Sequence, residues 1–226
     1  TTRLEGYDLQ GIQKGTANAR ELTLSFYIKS TVTGTYIAEL VDQTNSARHV
    51  NKAYTVSASN TWEKKEITFP ADTTGTVTSD HNRRLDINWW LGAGSTYNSG
   101  TLQTSWGSDT NANRAVGQVN AVNSASNDIM ITGVQLEIGS VATEFEHRSY
   151  GDVLAKCQRY YEVHYQSSGT ASMYSTGDAS MKYAHTWYFH QCKRAQASVA
   201  LLGNAVFNTS SGSPLTLTGI FTSKNH

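Results

Sequence analysis

Residues 22–29 alternate without a break: Leu22, Leu24, Phe26 and Ile28 against Thr23, Ser25, Tyr27 and Lys29. A side-chain period of two is the period of a β-strand, and here it places four large apolar groups on one face. A helix would scatter them around its circumference. Residues 85–91 repeat the device, with Leu85, Ile87, Trp89 and Leu91 against Asp86, Asn88 and Trp90. A half-buried strand needs a second apolar layer, so this pattern predicts stacked sheets.

Further strand candidates fill the first two thirds of the chain. TYIAELVDQ puts Tyr36, Ala38 and Leu40 on one face and Ile37, Glu39 and Val41 on the other. It follows a Thr33-Gly34 turn, so with residues 22–29 it reads as a hairpin. HVNKAYTVS is a weaker strand, and WEKKEITFP is one that ends at Pro70. Residues 116–122 form a short candidate. NDIMITGVQLEIG is the last, with Gly133 marking a bulge or a close backbone approach. The opening from Arg3 to Gly15 has no clean period and fits an edge strand or a lead-in. Only SYGDVLAKCQRYYEV reads as helix, with Val153, Leu154, Cys157, Tyr160 and Tyr161 on one stripe and Asp152 in the first turn. Beyond it, EVHYQSS, MKYAHTWYFHQ, ASVALLGNAVFN and LTLTGIFT read as further strands. The expected fold is all-β: a jelly-roll β-sandwich over residues 1–148, a helical connector over 149–163 and a smaller C-terminal β region over 164–226.

Charge narrows the function classes. Lys+Arg and Asp+Glu number 18 each and together make 16% of the chain. A balanced chain lacks the basic excess of a nucleic-acid footprint. No run of about 18 apolar residues occurs, so no membrane span is expected. The N-terminal TTRLEGYDLQG carries no basic stretch followed by an apolar core, so it does not read as a signal peptide. The two cysteines, Cys157 and Cys192, cannot staple a chain of this size and are expected as free thiols, buried or half-buried.

Residues 131–163, ITGVQLEIGSVATEFEHRSYGDVLAKCQRYYEV, carry a resemblance. They resemble a segment of tailed-phage structural proteins, tail fibres of marine and cyanobacterial phages among them. The likeness rests on Gly133 to Gly139, Phe145 to Arg148, Tyr150-Gly151 and Cys157 to Tyr161. LTLSFYIKSTVTGTY, TWEKKEITFP and LDINWWLGAGS also look like that family's module, whose layout is similar to jelly-roll carbohydrate-binding modules. The resemblance implies a virion component facing the host surface. It further implies a homo-oligomer, a trimer above all, that contacts other virion proteins and a host cell-surface glycan.

Candidate binding residues follow from the strand faces. Tyr27, Lys29, Glu39, Asp86, Asn88 and Trp90 point away from the apolar rows and form one patch if their strands share a sheet. An aromatic ring can stack on the C–H face of a sugar while carboxylates and amides bind its hydroxyls. Trp90 is the foremost candidate, contacting either a sugar or another subunit. Tyr97 and Trp106 sit in a long polar loop, where a Trp serves a ligand or caps the sandwich. The alternative to glycan binding is a purely structural virion protein. A polysaccharide depolymerase would need two positioned carboxylates, and the acids are scattered. Glu144 and Glu146 flank Phe145 and are expected to pair with Arg148 or a neighbouring chain, while Arg148 and Arg159 suit ion pairs or trimer contacts. His185 and His190 fall on opposite faces of one strand and cannot share a metal. No catalytic residue, metal or cofactor is expected. A structural calcium held by backbone carbonyls would leave no sequence signature.

Overall fold

The computed structural model describes residues 1–163, 189–195 and 198, and the backbone of 206–208 and 214–216. The chain divides into Thr1–His147 and Arg148–His226. The first unit holds eight strands: β1 (Thr2–Glu5), β2 (Leu22–Ser30), β3 (Gly34–Asp42), β4 (Arg48–Val56), β5 (Glu63–Phe69), β6 (Arg83–Trp90), β7 (Gly107–Ser108) and β8 (Ile129–Ile138). They form a five-stranded sheet, ordered β1-β6-β3-β4-β7, and a three-stranded sheet, ordered β5-β2-β8. Every pairing is antiparallel. The chain changes sheet at most connections, as a jelly roll does, and this is the expected all-β sandwich.

The apolar rows of residues 22–28 and 85–89 meet between the sheets. Leu24, Phe26 and Ile28 of β2 are fully buried against Tyr36, Leu40 and Val50 of the facing sheet. Burying each such side chain contributes about 1.5–3 kcal/mol. Phe26 meets Tyr54 edge-on at 5.3 Å and Trp89 edge-on at 5.7 Å between ring centroids. One ring from the small sheet thus locks onto two from the large one.

Three expectations need correction. Residues 22–29 and 34–42 do not form a hairpin: β2 pairs with β5 and β8, while β3 pairs with β4 and β6. The short link between them crosses from one sheet to the other. Its corner is pinned by the Tyr36 hydroxyl, which bonds Ser30 Oγ at 2.9 Å and donates to the Val32 carbonyl at 2.8 Å. Alternation assigns a face to each residue but names no partner strand. The local hairpin is instead β3–β4. Second, residues 116–122 form no strand. Gly117 has φ +82°, and the segment makes isolated bonds from Val119 N–H to Thr35 and from Ala121 N–H to Leu91. Third, Cys157 and Cys192 are free but exposed. Their apolar sequence neighbours are themselves exposed, Val153 by 44% and Tyr161 by 68%, so they create no buried setting.

Residues 131–146 have a mechanical logic. Register shifts between Ser25 and Tyr27 opposite β8, where Gly133 takes φ +58°. A Cβ there would stand 3.2 Å from Tyr27 Cδ2. Past the bulge, Gln135 and Glu137 clasp the returning chain. Gln135 Oε1 accepts from Glu146 N–H at 2.8 Å, its amide donates to the Glu144 carbonyl at 3.2 Å, and Glu137 accepts from Thr143 N–H at 3.0 Å. Hydrogen bonds from Gln135 and Thr143 hold the Glu137 carboxyl below the usual carboxylate range. The strap also explains why outward-facing Thr23 is only 1% exposed, since its hydroxyl donates to the Gly139 carbonyl at 2.7 Å.

The second unit contains α2 (Tyr150–Gln158), following a one-turn α1 (Ser95–Asn98) in the first. Ser149 caps α2, its hydroxyl accepting from Asp152 N–H at 3.2 Å. Of the strands expected beyond it, short stretches of two are described: β9 (Val206–Asn208) and β10 (Pro214–Thr216), an antiparallel pair. Of the rest, Glu162, Val163, residues 189–191 and Ser198 are described and form no strand, and the remainder, His185 included, lies outside the described residues.

Gly133→Val tests the bulge. A β-branched residue at positive φ, pressed against Tyr27, is expected to lower unfolding free energy by about 1–3 kcal/mol, read as a lower urea midpoint with an unchanged denaturant slope.

Candidate functional site

Glu39 lies on β3, the central strand of the five-stranded sheet, on the face away from the core. It is 0% exposed. An isolated buried carboxylate is prohibitively costly, so it must be paired. Segment 92–127 supplies the partner by crossing that face of the sheet. Arg114 donates from Nε to Glu39 Oε1 at 2.6 Å and from Nη2 to Oε2 at 2.8 Å, a bidentate pair. Asn88 Nδ2 and Trp90 Nε1 donate to Oε2 at 2.9 and 3.3 Å. These four bonds match the hydrogen-bonding capacity of a carboxylate and leave Glu39 little for a sugar hydroxyl or an attacking water.

Two aromatic rings close the cluster. The Arg114 guanidinium sits 5.4 Å from the Trp90 ring centroid, and Tyr97, from α1, tilts against Trp90 at 5.2 Å and 45°. Behind them His49 and Asn51 of β4 are fully buried on the same face. His49 Nε2 accepts from Thr110 N–H at 3.2 Å, and Nδ1 lies 3.6 Å from Glu39 Oε1 and 2.8 Å from the Asn51 amide nitrogen. Burial pushes the His49 pKa below its ordinary value, outweighing the attraction of Glu39 and Asp109, so the ring is neutral at pH 7. Toward solvent, Asp109 Oδ1 stands 3.6 Å from Arg114 Nη1, its side chain 33% exposed.

Of the binding candidates named from sequence, Glu39, Asn88, Trp90 and Tyr97 meet here. Asp86 shares the face but is 1% exposed, ion-paired with Arg83 and hydrogen-bonded by Gln43 at 3.1 Å. Tyr27 lies on the other sheet, 40% exposed, so the single outward patch expected of it and Lys29 with the β3 and β6 residues does not form. Trp106 packs against the sandwich core and donates its indole N–H to the Pro70 carbonyl at 2.8 Å. Glu39 is also no outward-facing ligand group, because segment 92–127 covers it. Sequence reasoning missed Arg114, Asp109, His49 and Asn51. One signal was present: Asp109 and Arg114 are the only charged residues in segment 92–127.

A second ionic cluster ties one end of the sandwich. The ammonium of Lys14 bridges Asp42 and, at 3.3 Å, Asp72, which also takes Arg48. These carboxylates therefore face a built-in cation. Among the described residues no group of three His, Cys, Asp or Glu side chains is placed to share a metal ion. No helix of the described residues is long and apolar enough to cross a membrane.

Fold and cluster together define a jelly-roll sandwich with a polar and aromatic patch on its larger sheet, organised by one buried ion pair. Comparison of the chain with protein-family models, curated proteins and solved structures gives no match.

Glu39→Gln leaves Arg114 without its counter-charge and is expected to cost about 3 kcal/mol of stability, while the Glu39→Leu/Arg114→Met double variant recovers most of it, as chemical denaturation would read. His49 gives a pH signature. Its folded pKa is depressed from 6.5, so the unfolded chain binds the extra proton first and stability falls as pH drops below about 6.5. His49→Gln is expected to flatten the Tm profile below about pH 6.5, and an unchanged profile would place the titration elsewhere.

Proposed function

We propose that this chain is a non-catalytic recognition module of a tailed-phage appendage, and that the Trp90–Tyr97–Arg114 patch engages a host-surface glycan. The observation that carries the reading is the convergence of half-buried Trp90, Tyr97, Asn88 and Arg114 on one spot of a rigid sheet. Rings with restrained rotamers offer a flat apolar surface to sugar C–H groups at little entropic cost. The guanidinium Nη1 and the Asp109 carboxylate beside it offer a donor and an acceptor for neighbouring hydroxyls. Residues 131–163, with their resemblance to tail-fibre proteins, support a place in the virion. The same resemblance supports assembly as a trimer and contact with other virion proteins.

A second reading has its own observation. The polar groups of the patch largely satisfy one another, and Trp90 already carries Arg114 and Tyr97 on its ring. That suits a purely structural virion domain without a ligand.

A glycan array and a pull-down on host lipopolysaccharide, with the intact protein, separate the two. The glycan reading expects binding that Tyr97→Ala weakens at least tenfold, about 1.4 kcal/mol, without lowering Tm by more than a few degrees. Absence of any glycan signal from the folded wild-type protein would leave the architectural reading. Mass in solution tests the trimer.

A further inference from the structure

We propose that the glycan taken by this patch is neutral or amine-bearing, and that Asp109 is the residue that turns anionic sugars away. The inference rests on the glycan reading above and adds the substrate class. Its basis is how the charges are spent. Arg114 is the cation of the patch, but its Nε and Nη2 are committed to Glu39, which is 0% exposed. The guanidinium charge is therefore neutralised from inside the protein. The outermost ionic group is Asp109, 33% exposed and 3.6 Å from Arg114 Nη1. His49, the remaining basic group of the cluster, lies 3.9 Å from Asp109 and is kept neutral by burial. Two carboxylates facing one guanidinium leave the patch with one net negative charge.

A patch of that sign discriminates by simple electrostatics. A uronate, sialate or phosphate group would meet the Asp109 carboxylate, and Arg114 would have to leave Glu39 to compensate. Leaving would strand a buried carboxylate, a far larger penalty than a surface contact returns. At about 4 Å in water, like charges repel by about 1 kcal/mol, which is about fivefold in affinity. A neutral hexose meets no such penalty, and an ammonium-bearing sugar gains from Asp109.

The experiment uses the full chain on an array printed with neutral hexose oligosaccharides, N-acetylhexosamine oligosaccharides, their deacetylated amine forms, and oligosaccharides bearing uronate or sialate. Expected are neutral or amine-bearing hits, neutral binding insensitive to salt, and an anionic-to-neutral affinity ratio raised about fivefold by Asp109→Asn. Asp109→Ser guards against a local effect of the amide and is expected to behave alike. Tyr97-dependent binding confined to anionic glycans, or an anionic-to-neutral ratio that neither Asp109 variant moves, would overturn the inference while leaving glycan recognition intact. No binding to any glycan would overturn both.

Discussion

A carboxylate sits in the middle of the five-stranded sheet with no access to water, and the architecture of that face follows from it. Glu39 on the central strand must be met by donors from elsewhere in sequence, and Arg114 comes from 75 residues away. Meeting it draws segment 92–127 across the sheet, brings Tyr97 to Trp90 and seals His49 and Asn51 beneath. The sheet therefore has two buried faces over β3, one apolar and one polar. The apolar face is generic. The polar face is more demanding, because a buried donor or acceptor left unpaired is costly.

The smaller sheet solves its exposure differently. Its outer face is crossed by a strap of the chain that leaves β8, fastened by Gln135 and Glu137. The glycine at the bulge lets Tyr27 lie close, and the strap ends near where the second unit begins. Residues 131–146 are thus a fastening. Gly133, Gln135, Glu137 and Gly139 there are accounted for by backbone hydrogen bonds and close packing.

The layers were legible in the sequence because alternation reports burial directly. Leu22, Leu24, Phe26 and Ile28 could face only a core, and the irregularity at Gly133 was an equally local matter. Pairing was not legible. A strand's pattern is the same whether its neighbour is next in sequence or a hundred residues away, and so β2 and β3 were joined in a hairpin they do not make. The site was half visible for a related reason. Strand residues such as Asn88 and Trp90 announce their face, whereas Arg114, His49 and Asn51 matter only through a long-range fold-over. A lone Glu on the middle of a strand and two isolated opposite charges in an otherwise uncharged segment are the trace that such a fold-over leaves.

The pairing of β2 with β8 sets an order of assembly. Leu22 lies opposite Ile138, so the small sheet stays incomplete until the ribosome has released residues far downstream. Until then β2 offers a bare edge rich in Leu, Phe and Ile, a template for the wrong neighbour. The β3–β4 hairpin closes early and locally, and the large sheet can gather β6 and β1 around it. During synthesis, then, the hazard sits in the three-stranded half, and a crowd of identical nascent chains is most prone to cross-pair there before the last strand arrives.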